Sequence, residues 1–581
     1  MFYSICFLMV IQTMSAQDHD VMYAFMRLTG ADSPEEIDEN EAERLSALLE
    51  RPLRINVSSF SRMVSSGLFS PYQAASLSDY IARHGPVLSF AELASVDGFG
   101  AESVEVLRPF VSLKNGGVGP EGSRGIWNDI IIRTGIRSSQ GERKWNYGIK
   151  YSVESFRGIS AGLAVSKSDD SGGAPDMLSA NIEWEADKIP LRIIAGDFNA
   201  RFGQGLALWN GMSMSSLNSP SSFMRRPSGY SRSSSFTGNY AMTGLAVSSR
   251  LRCLTVNASV SFPGIRTSYD AVSVMPALNV VWNHRNGQIG MTHYMDYSRS
   301  GSENNDVKSS IDIAWCIRGI DIFGEVAYDW ISGIPAALAG VVFPIGESWR
   351  SAIMTRIYPP EYSSLRSGAQ RSSTKCSDEM SATFAAEYTG ADRMNSFMFS
   401  ADGAYFPVPK DKSCPNNSQF KLQASWERNG EYVFIRLRLK ERIRDWGPAS
   451  HADLRSDVAV NLGKANLDFR LNLLYCRSLS GLGYIEGGYK TSKLSAYLKA
   501  GVFFVDNWDD RIYAYERDAP GSFNVPVFYG RGVWAAAVSS WKFSRWGKMY
   551  LRASCTGYPF MSGEKKKPGK AELRLQFMFS F

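Results

Sequence analysis

Alternation with a period of two is the feature that most restricts this chain. It runs from about residue 125 to the last of the 581 residues. In the closing stretch, Ala571, Leu573, Leu575, Phe577, Phe579 and Phe581 fall on one face. Glu572, Arg574, Gln576, Met578 and Ser580 fall on the other. Leu178, Ala180, Ile182 and Trp184 alternate with Ser179, Asn181, Glu183 and Glu185, and Val433, Ile435, Leu437 and Leu439 with Arg436, Arg438 and Lys440. Leu467, Phe469, Leu471 and Leu473 repeat the pattern against Asp468, Arg470 and Asn472. Such a period belongs to strands. Segments of about ten residues, oily on one face and often charged on the other, are what a membrane-spanning barrel needs. In lipid every backbone polar group must be paired inside a closed sheet.

The connections test this reading independently. Asn286-Gly287, Arg318-Gly319, Asn429-Gly430 and Gly463-Lys464 have hairpin chemistry. Longer links fall between them, at Met212 to Thr237, Pro359 to Asp378, Asp506 to Val527 and Tyr558 to Lys570. If the N-terminal part is periplasmic, every long link follows an odd-numbered strand and lies outside the cell, as barrels require. The expected fold is therefore mainly β: a large transmembrane antiparallel barrel over 125–581 of about 24 strands, within a range of 22 to 26.

The N-terminus and composition set outer bounds. Phe2 to Ile11 with Ser15-Ala16-Gln17 reads as a signal peptide over 1–16, although no Lys or Arg precedes it. No later apolar run approaches the length of a membrane helix, Ile334 to Ile345 being about the longest. A net charge of +6 is mild for this length and does not itself imply nucleic acid. Of the six cysteines beyond the leader, four fall in strand-like runs. Cys376 and Cys414 fall in loops on the same side, where a disulfide is open to them, and no CxxC points to metal or redox work.

Residues 18–50 form an acidic helical segment, with Ser33-Pro34-Glu35-Glu36 as a helix start and Ile37, Leu45, Leu48 and Leu49 following. Residues 51–114 hold short helices around one informative turn, Leu93 to Gly100, followed by helix formers from Ala101 to Leu107. Gly98, Phe99, Gly100 and Ala101 would present exposed amides to a phosphate. The preceding copy, Met63 to Ile81, reads Leu68-Phe69-Ser70 where glycines would be needed. Asp18 to Pro120 carries fifteen acids against eight bases, which opposes reliance on phosphate contacts. A periplasmic packing module and a nucleic-acid module both stay open. Asn115 to Pro120 opens a Gly/Pro linker over 115–124.

One segment stands apart in the barrel: Gly196-Asp197-Phe198-Asn199-Ala200-Arg201-Phe202-Gly203-Gln204-Gly205-Leu206. It leads into a link with Arg225, Arg226 and Arg232 and no acid. One reading folds this loop into the lumen, where Arg201, Arg225, Arg226 and Arg232 make a constriction that favours anions. The other is an ordinary outer loop with glycines at a bulge. Enzymatic signals are thin: His19, His84, His284, His293 and His451 show no HExxH spacing, and no GxxxxGK[ST] occurs. No cofactor or metal is implied.

The Leu93 to Leu107 hairpin, the Gly196 to Gly205 segment and the closing Phe577, Phe579 and Phe581 strand carry a resemblance. The chain resembles outer-membrane barrel proteins of the Bacteroidetes that have an N-terminal helix-hairpin-helix domain, similar to that of competence DNA receptors. The resemblance implies that the terminal aromatic is read by the barrel-assembly machinery and that a monomeric barrel sits in outer-membrane lipid. It implies a non-enzymatic channel or translocation role with DNA or another polyanion as cargo. A plugged scaffold that docks a periplasmic protein through 51–114 is the alternative, and a barrel hydrolase the third. The lumen is expected to be wet and mixed in sign, from Glu183, Glu185, Lys421, Arg436, Arg438, Asp468 and Arg470.

Overall fold

The computed structural model describes residues 17–581 except 115–124, 140–141, 156–157, 168–174, 187–188, 212–215, 237–240, 264–272, 285, 299–304, 364, 393, 411–416, 448–449 and 562–566. The expected leader, the Gly/Pro linker and Cys414 thus lie outside the described residues.

Alternating segments become strands because a strand alone sends successive side chains to opposite faces. Twenty-four antiparallel strands, from Ile126–Ser139 to Lys570–Ser580, close into one barrel. A further short strand, Gly229–Arg232, pairs with the end of Leu191–Arg201. It is not a stave, because Leu191–Arg201 pairs directly with Met242–Leu251. The seam joins Lys570–Ser580 to Ile126–Ser139 along their length. It ends where the Asn128 amide donates to the Phe581 carbonyl at 2.8 Å and the Phe581 amide to the Asn128 carbonyl at 3.0 Å.

The two faces separate as the alternation requires. On Ser273–His284, Val274, Leu278 and Trp282 face outward and are exposed, while Met275, Ala277, Asn279 and Asn283 face inward and are buried. At one rim the links are two to five residues long. Arg318 and Gly319 make one of them, with φ of +52° and +82°, the left-handed pair that a two-residue hairpin needs. Every link longer than five residues opens at the other rim. Beside the short turns the outer face carries rings. Trp349, Tyr388, Phe397 and Trp426 follow one another with centroids 5.1, 6.3 and 6.4 Å apart. Phe579 packs on Trp546 at 5.8 Å and on Phe577 at 6.3 Å, and Phe581 is exposed at the rim. Rings at that height match the interfacial girdle of transmembrane barrels.

The N-terminal helices are α1 (Gln17–Thr29), α2 (Glu39–Glu50), α3 (Phe60–Ser65), α4 (Pro71–His84), α5 (Phe90–Ala94) and α6 (Ala101–Leu107). Ser33-Pro34-Glu35-Glu36 does not open a long helix. Pro34–Glu36 is a single 3₁₀ turn, and α2 starts only at Glu39. The carboxylates of Glu35 and Glu36 are drawn to the barrel wall instead of continuing the helix. Residues 18–50 and 51–114 are not separate units either. Ala24, Phe25, Ile37 and Leu45 share one core with Leu68, Phe69, Leu93 and Phe110, and the Phe25 and Phe110 rings lie 5.8 Å apart. Two helix–turn–helix pairs, α3–α4 and α5–α6, stand in tandem. The first is fixed by a capping box in which Ser70 and Gln73 bond reciprocally.

This helical unit is seated in the barrel from the short-turn rim. An arginine at the outward position Leu278, near mid-strand, is expected to destabilise the folded barrel by about 2–4 kcal/mol, measured by urea unfolding in lipid vesicles.

Candidate functional site

Residues 27–51 meet the lumen wall through a set of ion pairs, the central ones buried. On Val433–Arg444, period two puts Arg436, Arg438 and Lys440 on the inner face in a row. Asp32 closes on all three: one oxygen accepts from Arg436 at 3.0 Å and from the Gln423 amide at 2.7 Å, the other from Arg438 and Lys440 at 3.0 Å. Glu36 takes a second bond from Lys440 at 2.9 Å. Glu35 joins the next two strands, accepting from Arg455 at 2.8 Å, from Arg470 at 2.5 Å and from the Tyr515 amide at 2.9 Å. Asp457 bridges the same two arginines from the wall. Around the ring, Glu41 pairs with Arg201, Glu43 with Lys150, Glu50 with Lys548, Arg51 with Asp129 and Arg27 with Glu387.

The electrostatics follow from this burial. Burial alone would raise the Asp32 carboxyl, but Lys440, Arg436 and Arg438 together hold it far below the usual carboxylate range. Glu35 is likewise pushed up by burial and brought well down by Arg455 and Arg470. Glu41 is held low against its burial by Arg201 and Arg44. Glu39 goes the other way. Burial lifts it to about 7, with Arg133 too weak an offset.

The other half of the lumen is filled from the long-link rim. The described parts of the links after Leu191–Arg201 and Trp349–Tyr358 fold inward, and Phe202, Leu206, Leu208, Phe223 and Tyr362 pack on wall residues such as Phe198, Tyr294 and Tyr358 in one apolar cluster. Charges of both signs also stand beside this cluster, where Lys308 pairs with Asp306 and Arg356 with Asp402. Gly203 (φ +57°) and Gly205 (φ +88°) make the inward turn possible. A Cβ at Gly205 would lie 2.8 Å from Arg225 Nη1 and 3.3 Å from the Ala369 amide.

The four arginines of this region divide. Arg201 and Arg225 come together at Trp209, with their guanidinium carbons 5.8 and 3.7 Å from its ring centre. Arg201 is committed to Glu41, and Arg225, buried, donates to the Gly368 carbonyl. Arg232 pairs with Glu154 at 2.5 Å, beside Arg62. Arg226 lines a chamber of about 1980 Å³ between the helical unit and the wall.

Gly98, Phe99, Gly100 and Ala101 border the same chamber. Gly98 has φ +83°, its carbonyl accepts from Gln73 at 2.8 Å, and a Cβ there would meet Tyr72 at 2.6 Å. Around Gly100 the space is open. Cys376 carries a free, buried thiol set against the Ala369 carbonyl. Among the described residues no group of three or more His, Cys, Asp or Glu converges.

Sequence reasoning missed two things. Gly158-Ile159-Ser160-Ala161-Gly162 matches Gly-x-Ser-x-Gly by letter. It opens the barrel strand Ile159–Lys167, with no strand-to-helix elbow to expose the serine. The second is the docking itself, although its signal was present: an acidic N-terminal segment, and wall strands with basic inner faces.

No protein-family model and no curated protein matches this chain. Solved barrels do. The P pilus usher (PapC) translocation pore is 9% identical, over 78% of this chain and 99% of that one, with a TM-score of 0.39. The copper transporter OprC is 9% identical, over 78% and 80%, with a TM-score of 0.42. The siderophore receptor PirA from Pseudomonas aeruginosa is 9% identical, over 79% and 80%, with a TM-score of 0.39. At these identities the likeness is one of barrel architecture.

The charge pattern has a pH signature. Asp32, Glu35 and Glu41 have depressed values, so their contribution to docking is complete above about pH 4.5 and is lost only in strong acid. Glu39 is raised, so its ionisation opposes docking progressively from about pH 4.5 to 7. Amide exchange protection of α2, corrected for intrinsic rates, should therefore rise as pH falls from 8 to 5, and Glu39→Gln should flatten that rise.

Proposed function

We propose that this chain is a non-enzymatic outer-membrane transport barrel held shut by its own N-terminal unit, with that unit on the periplasmic side. The observation that carries this reading is the seating of Asp32, Glu35 and Glu36 on Arg436, Arg438, Lys440, Arg455 and Arg470. These contacts cover the wall from Ser418–Asn429 to Ala465–Tyr475, whereas the inward links are fastened to the opposite wall by an apolar cluster, with bonds such as those of the Gln204 and Leu206 amides to Glu325 beside it. Ion pairs exchange for water with little strain, while an apolar core does not. The unit is thus the separable half of the closure, and its displacement would open a charged path for a hydrophilic cargo.

The orientation follows from the long links, which barrels of this type direct outward. Lipid around the apolar belt and the barrel-assembly machinery are then the partners of the wall. A polyanion such as DNA is the second reading, supported by the Gly98–Ala101 turn and Arg226, which line the same chamber.

Full-length protein in planar bilayers tests the closure. The native chain should be silent or nearly so. Asp32→Asn with Glu35→Gln, which strand buried arginines at a cost of about 3–5 kcal/mol per broken pair, should produce discrete conductance steps. Silence in both proteins would favour a scaffold that docks a periplasmic protein. For the polyanion reading, anisotropy of labelled DNA with the full chain should show affinity that falls steeply with salt. Affinity that is absent at low salt removes it.

A further inference from the structure

We infer that the link between the strands Leu494–Val505 and Gly530–Lys542 is a latch on the N-terminal unit, worked from the cell surface. The inference rests on the closure proposed above and names what regulates it. This link leaves the long-link rim as a hairpin. Ile512–Tyr513 pair with Val527–Phe528, and farther along the Glu516 amide donates to the Asn524 carbonyl at 2.9 Å. Its tip, residues 517–523, lies halfway down the wall, beside the mid-strand residues Arg133, Arg552 and Arg574.

Two sets of contacts meet near this tip. Charges fasten it to the wall: Glu516 pairs with Arg552, Asp518 with Arg574 and Arg517 with Glu486. Gln576 donates to the Pro520 carbonyl at 2.8 Å, and Arg133 to the Ser522 hydroxyl at 3.1 Å. The helical unit rests on the same hairpin. The Tyr515 amide donates to Glu35 at 2.9 Å. The Phe523 ring, 5.0 Å from that of Tyr515, packs on the apolar core of the unit. A Cβ built on Gly521 would lie 3.9 Å from Glu43 Oε1. Glu35 thus answers the wall arginines and the hairpin at once.

The hairpin is continuous from the outer rim to the acids that seat the unit. At the rim, Asp510 is fully buried and accepts from the amides of Arg477 and Ser478 at 2.8 and 2.9 Å. It pins the hairpin to the neighbouring outer turn. Trp508 and Tyr513 beside it are exposed. A partner that engages this end from outside acts on the same strand pair that carries Tyr515. Two sites that bias one element bias each other reciprocally. Loosening the hairpin therefore eases release of the unit, and release of the unit frees the hairpin.

The test is amide exchange of the full-length protein in detergent, read over α2 and over residues 512–516. Phe523→Ala and Tyr515→Pro, the second of which removes the donor to Glu35, should each speed α2 exchange about fivefold or more. Asp510→Ala decides whether the hold passes along the hairpin, because its site is at the outer rim. It should speed α2 exchange by a similar factor while the barrel strands stay protected. Glu35→Gln should in turn speed exchange of residues 512–516. Should Asp510→Ala fail to fold, Asp510→Asn, which keeps one acceptor oxygen, takes its place. Unchanged α2 exchange in the rim variant, or unchanged hairpin exchange in Glu35→Gln, overturns the latch. These rates are separate from conductance: a chain silent in every variant fails the transport reading and leaves faster exchange as support for the latch.

Discussion

A sheet in lipid cannot have an edge. Each unpaired amide or carbonyl in hydrocarbon costs several kcal/mol, so the barrel exists only if its first and last strands meet. Here they meet over Asp129–Ser139 and Lys570–Ser580, with Asn128 and Phe581 tying the end. Closure also decides what the inner face must do. Twenty-four strands enclose far more space than their own side chains can fill, since diameter grows with strand number. Something must occupy the lumen or water will.

This chain occupies it in two physically different ways. From the long-link rim, Phe202, Leu206, Leu208 and Phe223 of one link, turned in at Gly203 and Gly205, join Tyr362 of another in an apolar core against one wall. From the short-turn rim, an independently packed helical unit brings its acids to the basic inner face of the opposite wall. The first is a folding event of the barrel itself. The second is an association between two cores, and buried ion pairs supply it more with register and selectivity than with net stability. Asp32 shows this best. One carboxylate answers three cations on alternate positions of a single strand, so a slip by one residue would lose all three.

The barrel was legible because its signal is local. Leu573, Leu575 and Phe577 against Glu572, Arg574 and Gln576 can be read without knowing any partner strand, and the turn at Arg318-Gly319 announces itself in two residues. The second helical pair was legible for the same reason, through Gly98 and Gly100, whereas Leu68-Phe69-Ser70 made the first look degenerate until the Ser70 capping box was seen. Ser33-Pro34-Glu35-Glu36 misled. Its residues suit a helix start, but Arg455 and Arg470 compete for Glu35, and they lie some 420 residues away. The division at residue 50 misled similarly, because Phe25 finds Phe110 only in the folded unit.

Sequence by itself determined the sheet, its facing, its turn asymmetry and the helical character of the N-terminal part. Each follows from side-chain periodicity and backbone preference within a dozen residues. Tertiary structure alone decided that the helical unit enters the barrel, that the long links fold inward, and that Tyr515 meets Glu35. Those outcomes depend on charges and surfaces brought together from hundreds of residues apart, and no short stretch of chain carries them.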